Sequence, residues 1–150
     1  MDRVAVLIPL IVGTSAIAFT ILIHGAAVVT NLQFVRHERR VGHVGVNFWL
    51  DLRIVATAVL LALVAHLIEI GVWAVLLVRI GEFQGLGIAF YHSAMNYTSL
   101  GYGDIIMTPA WRLLGPLETT NGMLMFGVST AVIFTVTHRL IETRFPDLRD

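Results

Sequence analysis

The sequence lacks cysteine and lysine, and it carries few charges of either sign. Without cysteine the chain cannot form a disulfide framework or a thiolate metal site. Charged residues make up 13% of its 150 residues, whereas a soluble domain carries about a quarter. Ten arginines balance ten acidic residues, so the net charge gives no indication of a nucleic-acid partner. With 57% hydrophobic residues, the composition is that of a membrane protein.

Three segments are apolar enough to cross a bilayer as helices, which takes about 20 residues. They are residues 4–35, 54–78 and 113–138, and the last two each contain one acid, Glu69 and Glu118. A cleaved signal peptide is the alternative for the first segment. We favour a retained helix, because the uncharged run is longer than a typical signal sequence.

A fourth uncharged run, residues 83–103, becomes polar in its second half and ends in glycines. It favours a re-entrant segment, with a short helix from about Leu86 to Tyr97 followed by extended chain. Non-helical backbone at membrane depth must be buried in protein or line water. Gly101 and Gly103 can adopt positive φ, which would turn successive carbonyls to one side. Such a row of carbonyls replaces the water shell of a dehydrated monovalent cation.

The string "AFYHSAMNYTSLGYGD" resembles the pore helix and selectivity filter of tetrameric potassium channels. The resemblance implies a filter, here called the filter segment, formed by Ser99, Leu100, Gly101, Tyr102 and Gly103. It places K⁺ at Ser99, Leu100, Gly101 and Tyr102, and it places Asp104 at the outer mouth. Asn96 and Ser99 stand where the family has threonine. Serine keeps a coordinating hydroxyl but lacks the methyl group that stiffens χ1.

The resemblance extends over about residues 47–140 and includes "NGMLMFG" on the inner helix. It implies that Gly122 is the glycine at which the inner helix bends. One face of this helix carries a stripe at steps of four and three residues, formed by Thr119, Met123, Phe126, Thr130 and Phe134. The resemblance implies that this face lines the cavity, with Phe134 as a candidate gate. The spacing alone equally allows a stripe that packs against another helix.

Three ionisable residues, Glu69, Glu118 and His92, are predicted at similar depth in the membrane, where charge is costly. They either support the filter through hydrogen bonds or are solvated separately at the outer rim. His24 and His66 raise the question of a metal or haem site. Counted from the outer ends of their helices, their depths differ by roughly 15 Å, too far to bind one ion. No metal site, and no cofactor beyond the permeant K⁺, is therefore expected.

Arginine counts predict the orientation of the chain. Seven arginines lie in the loop after the first helix and in the C-terminal tail, against three on the other side. The loop and the C-terminus are therefore predicted to be cytoplasmic and the N-terminus outside. The loop could also bind anionic lipid headgroups.

The sequence thus predicts an all-α membrane protein with three transmembrane helices, a re-entrant pore helix and an extended filter. Residues 1–46 would form the first helix and basic loop, 47–140 the pore domain, and 141–150 a short tail. The predicted function is passive K⁺ conduction by a homotetramer in the plasma or inner membrane, with no enzymatic activity. A weakly selective cation channel, a non-conducting channel-like subunit and a membrane redox enzyme are the alternatives.

Overall fold

The computed structural model describes the backbone of residues 3–145 and the side chains from residue 6 onward. Within this range the chain forms four α-helices and no strand, namely α1 (Arg3–Arg40), α2 (Phe48–Arg79), α3 (Leu86–Tyr97) and α4 (Leu114–Arg144). α1, α2 and α4 are each long and apolar enough to cross a membrane, whereas α3 has only 12 residues. The predicted all-α fold is confirmed, and α3 has the predicted bounds.

The long helices extend beyond the apolar segments that predicted them. α1 continues to Arg40 and α2 begins at Phe48, so the connection between them is residues 41–47 rather than a loop from residue 36. Basic residues in the last turn of α1 favour this extension through the helix dipole. Glu38 also accepts hydrogen bonds from Arg53 and His43, both at 2.7 Å. The predicted tail is helical as far as residue 144.

Residues 3–24 and 66–126 form one compact unit. Its buried apolar core joins three helices and consists of Ile70, Trp73, Ala74, Leu77, Ala89, Tyr97, Leu114 and Met125. α1 packs against this core through Val12, Ala16 and Ile17. Gly13 lies so close to α4 that an added Cβ would approach Leu117 Cδ1 to 2.5 Å. Small residues bring membrane helices into close packing, which drives their association in lipid.

Residues 25–65 and 127–145 form the second compact unit. Its core is Ile54, Ala58, Val136 and Leu140. The buried side chain of Asn31 donates from Nδ2 to the carbonyl of Ala58 at 2.9 Å. Asp51 accepts from the backbone N–H of Gly45 at 2.9 Å and from Arg144 Nη1 at 3.1 Å. The polar contacts of Asp51 thus connect the short loop to the end of α4.

Candidate functional site

α3 ends in a turn that leads directly into the filter segment. The N–H of Ser99 donates to the carbonyl of Asn96 at 2.9 Å, and that of Leu100 donates to Met95 at 3.0 Å. Ser99 has a φ of 62°, a left-handed conformation. This is the Schellman arrangement that closes helix C-termini, in which glycine usually takes the left-handed position. The turn fixes the direction in which the filter segment leaves α3.

The sign of φ alternates along the filter segment. Ser99, Gly101 and Gly103 have φ values of 62°, 51° and 72°, whereas Leu100 and Tyr102 between them lack positive φ. The positive φ predicted at both glycines is therefore present. In an extended strand, successive carbonyls point to opposite sides. Reversing the backbone at every second residue rotates them toward a common side, and glycine does this without steric cost.

The acid that follows the filter segment is bonded to α3. The hydroxyl of Tyr91 donates to Asp104 Oδ2 at 2.8 Å. This hydrogen bond to the carboxylate raises the pKa of Tyr91 above its ordinary value. Tyr91 therefore stays protonated and remains a donor throughout the neutral pH range. The contact holds the chain after the filter segment against the middle of α3.

The filter segment is largely uncovered in the single chain. Leu100 is 52% exposed and Tyr102 is 69% exposed. A cavity of about 730 Å³ opens beside the segment, with Met95, Asn96, Gly101 and Thr119 among its lining residues. The chain by itself therefore does not enclose this non-helical backbone.

Two of the predicted support residues, His92 and Glu118, meet at Asn96, and we call these three residues the Glu118 cluster. Asn96 Nδ2 lies 3.1 Å from His92 Nδ1 and makes a long contact of 3.5 Å with Glu118 Oε2. Thr119 Oγ1 donates to the Asn96 carbonyl at 2.9 Å. Glu118 is fully buried. Its Oε1 and the nearby Ser93 Oγ have no hydrogen-bond partner among the described residues.

The third predicted support residue, Glu69, belongs to a different group, which we call the Glu69 cluster: His24, His66, Glu69 and Tyr97. Glu69 is fully buried. It accepts from His24 Nδ1 at 2.9 Å and from the hydroxyl of Tyr97. His66 Nδ1 lies 3.1 Å from the Tyr97 oxygen. The Glu69 cluster therefore reaches the last residue of α3, next to the filter segment.

The predicted separation of His24 and His66 is wrong, because their ring centroids are 5.2 Å apart. The error came from counting depth at the outer ends of the helices. The short connection 41–47 pairs α1 and α2 at their other ends. Counted from there, His24 lies 16 residues (24 to 40) and His66 18 residues (48 to 66) along antiparallel helices. His24, His66 and Glu69 each offer a ligand atom, and these atoms lie within 4.8 Å of one another.

The comparison with protein families identifies this region. A family model described as "Ion channel" matches residues 53–139, more than half of the chain. The chain belongs to this ion channel family. The match begins within α2 and ends within α4, so it includes α3 and the filter segment. The comparisons with curated proteins and with solved structures gave no match.

The stripe predicted on the inner helix of this ion channel has members in different surroundings. Met123 and Phe134 are 62% and 66% exposed, and Thr130 is exposed as well. Thr119, by contrast, bonds to α3. The ring of Phe126 packs on His66, with centroids 4.3 Å apart, and on Tyr97. Phe126 therefore contacts the Glu69 cluster as well as presenting an exposed edge.

Gly122 lies where α4 approaches the end of α3 most closely. A Cβ added at this glycine would lie 2.0 Å from the carbonyl oxygen of Tyr97. Glycine is therefore required here by packing. α4 is a continuous helix through this position, so the predicted bend at Gly122 stays a prediction.

The sequence analysis missed Tyr91, Tyr97 and His24 as neighbours of the filter segment. One signal for two of them was available. A buried carboxylate in a spanning helix needs a polar partner, and His24 and Tyr97 are among the few polar residues of α1 and α3. Tyr91 carried no such signal, because its partner Asp104 lies in an exposed part of the chain.

Proposed function

We propose that this chain is one subunit of a homotetrameric channel that conducts K⁺ passively and selectively across a cell membrane. The alternating φ of Ser99, Gly101 and Gly103, directly after α3, carries the proposal. This conformation turns carbonyls toward one side, and a K⁺ filter is built from four such rows of carbonyl oxygens. One chain contributes one row, so four copies are needed.

The exposure of the filter segment supports assembly. Its backbone is non-helical and uncovered in the single chain. Backbone of this kind is tolerated at membrane depth only where protein buries it or where it lines water. Three further copies around a central axis meet this requirement, because each covers its neighbour's filter segment and leaves the carbonyls facing the pore.

The direction of α3 supports a cation as the permeant ion. The C-terminal end of a helix carries a partial negative charge of about half an elementary charge. α3 ends beside the filter segment and has no basic residue in its last turn. Four such helix ends, directed toward one axis, favour a monovalent cation there.

The proposed roles follow the order of the chain. Carbonyls of Ser99, Leu100, Gly101 and Tyr102 coordinate K⁺, helped by the Ser99 hydroxyl, and Asp104 carries negative charge at the outer mouth. The exposed residues of α4, including Met123 and Thr130, line the cavity, and Phe134 narrows its cytoplasmic end. The N-terminus lies outside and the C-terminus in the cytoplasm. The subunit catalyses no reaction and needs no cofactor for conduction beyond the permeant K⁺.

Purified protein in liposomes tests the proposal. We expect K⁺ efflux down its gradient, together with a reversal potential in mixed Na⁺ and K⁺ that follows K⁺. A reversal potential near zero in equal Na⁺ and K⁺ on opposite sides would favour a weakly selective cation channel, for which Asn96 and Ser99 give a reason. An intact tetramer without flux would favour a non-conducting subunit. A haem or flavin absorbance band would favour the redox alternative.

A further inference from the structure

The Glu69 cluster brings metal-ligating side chains together in the interior of the protein. His24, His66 and Glu69 are 3%, 5% and 0% exposed, and each offers a ligand atom within 4.8 Å of the others. We propose that these three residues form a site for a divalent transition-metal ion, for which Zn²⁺ is the test ion. The proposal is independent of K⁺ conduction.

The chemistry of the donors selects the class of ion. Two imidazole nitrogens with one carboxylate oxygen form a donor set that binds Zn²⁺ and related transition metals. Ca²⁺ and Mg²⁺ prefer sites built from oxygen alone. The hydroxyl of Tyr97 contacts both Glu69 and His66, so it is placed to complete a tetrahedral set or to hold the ligands in position.

The distances among the donors fit a single ion after small rotations of the side chains. Tetrahedral Zn²⁺ with bonds near 2.0–2.1 Å holds its ligand atoms about 3.4 Å apart. His24 Nδ1 lies 2.9 Å from Glu69 Oε1, and His66 Nδ1 lies 3.8 Å from Glu69 Oε2. The observed spacing falls on both sides of the required value. Converging on an ion therefore needs no movement of α1 or α2.

The surroundings of the cluster favour a bound cation. A carboxylate enclosed in protein at membrane depth needs compensating charge. Phe126 stacks on His66 with ring centroids 4.3 Å apart and, with the low exposure of all three ligands, limits access of water. A divalent ion supplies the charge and satisfies both imidazoles at once. A proton shared with the histidines is the alternative, and the experiment below separates the two.

The site would give α1 a role. His24 lies outside the residues matched by the ion channel family model, whereas His66 and Glu69 lie inside them. An ion bound by all three fastens α1 to α2 beside Tyr97, the last residue of α3. We therefore expect metal binding to stabilise the packing of α1 against the remainder of its unit.

The test measures bound metal directly on the full-length chain. Protein expressed with added zinc is purified in detergent and desalted, and its zinc is counted by inductively coupled plasma mass spectrometry. A second sample is stripped with chelator and titrated with Zn²⁺. We expect one Zn²⁺ per chain and a higher melting temperature with Zn²⁺ than with Mg²⁺. His24→Gln and His66→Gln should lose the bound zinc and the thermal shift.

Two matched variants separate loss of a ligand from loss of folding. His92→Gln changes another buried histidine, outside the Glu69 cluster, and should keep one Zn²⁺ per chain. His24→Cys replaces the imidazole by a thiolate ligand and should recover zinc binding that His24→Gln loses. Substitution by Co²⁺ should give the visible absorption of a tetrahedral site in the wild type and a changed spectrum in His24→Cys.

Two results would overturn the proposal. The first is a folded wild-type protein that retains no zinc under either condition, in which case the cluster is a hydrogen-bond network. The second is equal zinc in the wild type, His24→Gln and His66→Gln, because the ion would then be held by exposed histidines such as His138.

Discussion

Two buried polar clusters flank the end of α3, and they are built on different principles. Consecutive residues of α3 separate them, since Asn96 belongs to the Glu118 cluster and Tyr97 to the Glu69 cluster. In the Glu69 cluster the carboxylate accepts from both His24 and Tyr97. In the Glu118 cluster one carboxylate oxygen makes a long contact with a neutral amide, and the other has no partner among the described residues.

This difference teaches how each cluster is expected to act on the filter segment. A satisfied carboxylate fixes its neighbours, so the Glu69 cluster should hold Tyr97 in place and depend on every member. A buried carboxylate with a free oxygen is incomplete in one chain, so the Glu118 cluster has capacity for a water molecule or for a group from a neighbouring subunit. The first should therefore contribute to the stability of the chain and the second to its assembly.

The largest effect is expected in the filter segment, which both clusters adjoin. Gly101→Ala or Gly103→Ala should abolish K⁺ flux in liposomes. An added Cβ meets no atom within 4 Å at either glycine, so the cost arises from the positive φ alone. This cost is about 1–2 kcal/mol per residue, and four copies share one filter.

The matched control for these variants is Gly85→Ala. Gly85 also has open space around its Cα but an ordinary φ of −133°, so the variant should conduct as the wild type does. Both clusters should remain intact in all three variants, which is checked by an unchanged melting temperature. Normal flux through Gly103→Ala would contradict the assignment of the filter.

A smaller but broader effect is expected from Gly122→Ala, which should disturb both clusters at once. The new Cβ would collide with the Tyr97 carbonyl, and this carbonyl belongs to the end of α3 where the clusters meet. Overpacking of this kind costs about 1–3 kcal/mol, and we expect a lower melting temperature together with reduced flux.

Gly127→Ala is the control on the same helix, because its added Cβ would meet nothing within 4 Å. Alanine is a better helix former than glycine by about 1 kcal/mol, so Gly127→Ala should be neutral or slightly stabilising. Equal melting temperatures for the two alanine variants would show that α4 does not approach Tyr97 as closely as described.

The sequence predicted the helices and the φ of Gly101 and Gly103, because each follows from local chemistry. The bounds of α3 follow from its flanking glycines and polar second half, and glycine predicts positive φ directly. The same reasoning missed the left-handed Ser99, which arises from the Schellman turn at the end of α3. Threonine is rare at positive φ because it is β-branched, which is a reason for serine at this position.

The Glu69 cluster was beyond a segment-by-segment reading of the sequence. His24 and Glu69 are 45 residues apart, and their contact depends on how far α1 and α2 extend past their apolar segments. The ends of these helices are determined partly by ion pairs of Glu38 and by the helix dipole. Hydropathy does not report either effect, so a depth estimated from apolar residues alone was wrong by several turns.

The direct test of the comparison replaces the two carboxylates in turn. Glu69→Gln removes an acceptor and points an amide donor at groups that already donate, so we expect a loss of about 1–3 kcal/mol in unfolding free energy. Glu118→Gln changes an oxygen that has no partner and offers a new donor near Ser93 Oγ. The loss there should be below about 1 kcal/mol.

Thermal unfolding of the two purified variants, read by circular dichroism in the same detergent, measures this difference. A chelator is present throughout, so that a metal ion does not contribute. If Glu118→Gln were the more damaging of the two, the assignment of the stable cluster would have to be reversed.

The smallest effect is expected from Tyr91→Phe, since Tyr91 lies on an exposed part of α3 and belongs to neither cluster. The variant loses only the hydrogen bond from the Tyr91 hydroxyl to Asp104, so both clusters should be unaffected. We expect a slightly lower melting temperature and a faster decay of K⁺ flux, because the chain after the filter segment is less firmly held. The pH dependence identifies the cause. The pKa of Tyr91 is raised by its bond to Asp104, so the bond is fully present below the ordinary tyrosine pKa of about 10. Its contribution disappears only as the pH rises through the higher value of the folded protein. The wild type should therefore exceed Tyr91→Phe at neutral pH and converge with it at strongly alkaline pH. Asp104→Asn, which keeps an acceptor oxygen, should retain part of the difference, whereas Asp104→Ala should behave as Tyr91→Phe does. A constant difference between the wild type and Tyr91→Phe at every pH would mean that the ring, and not the hydroxyl, holds this segment.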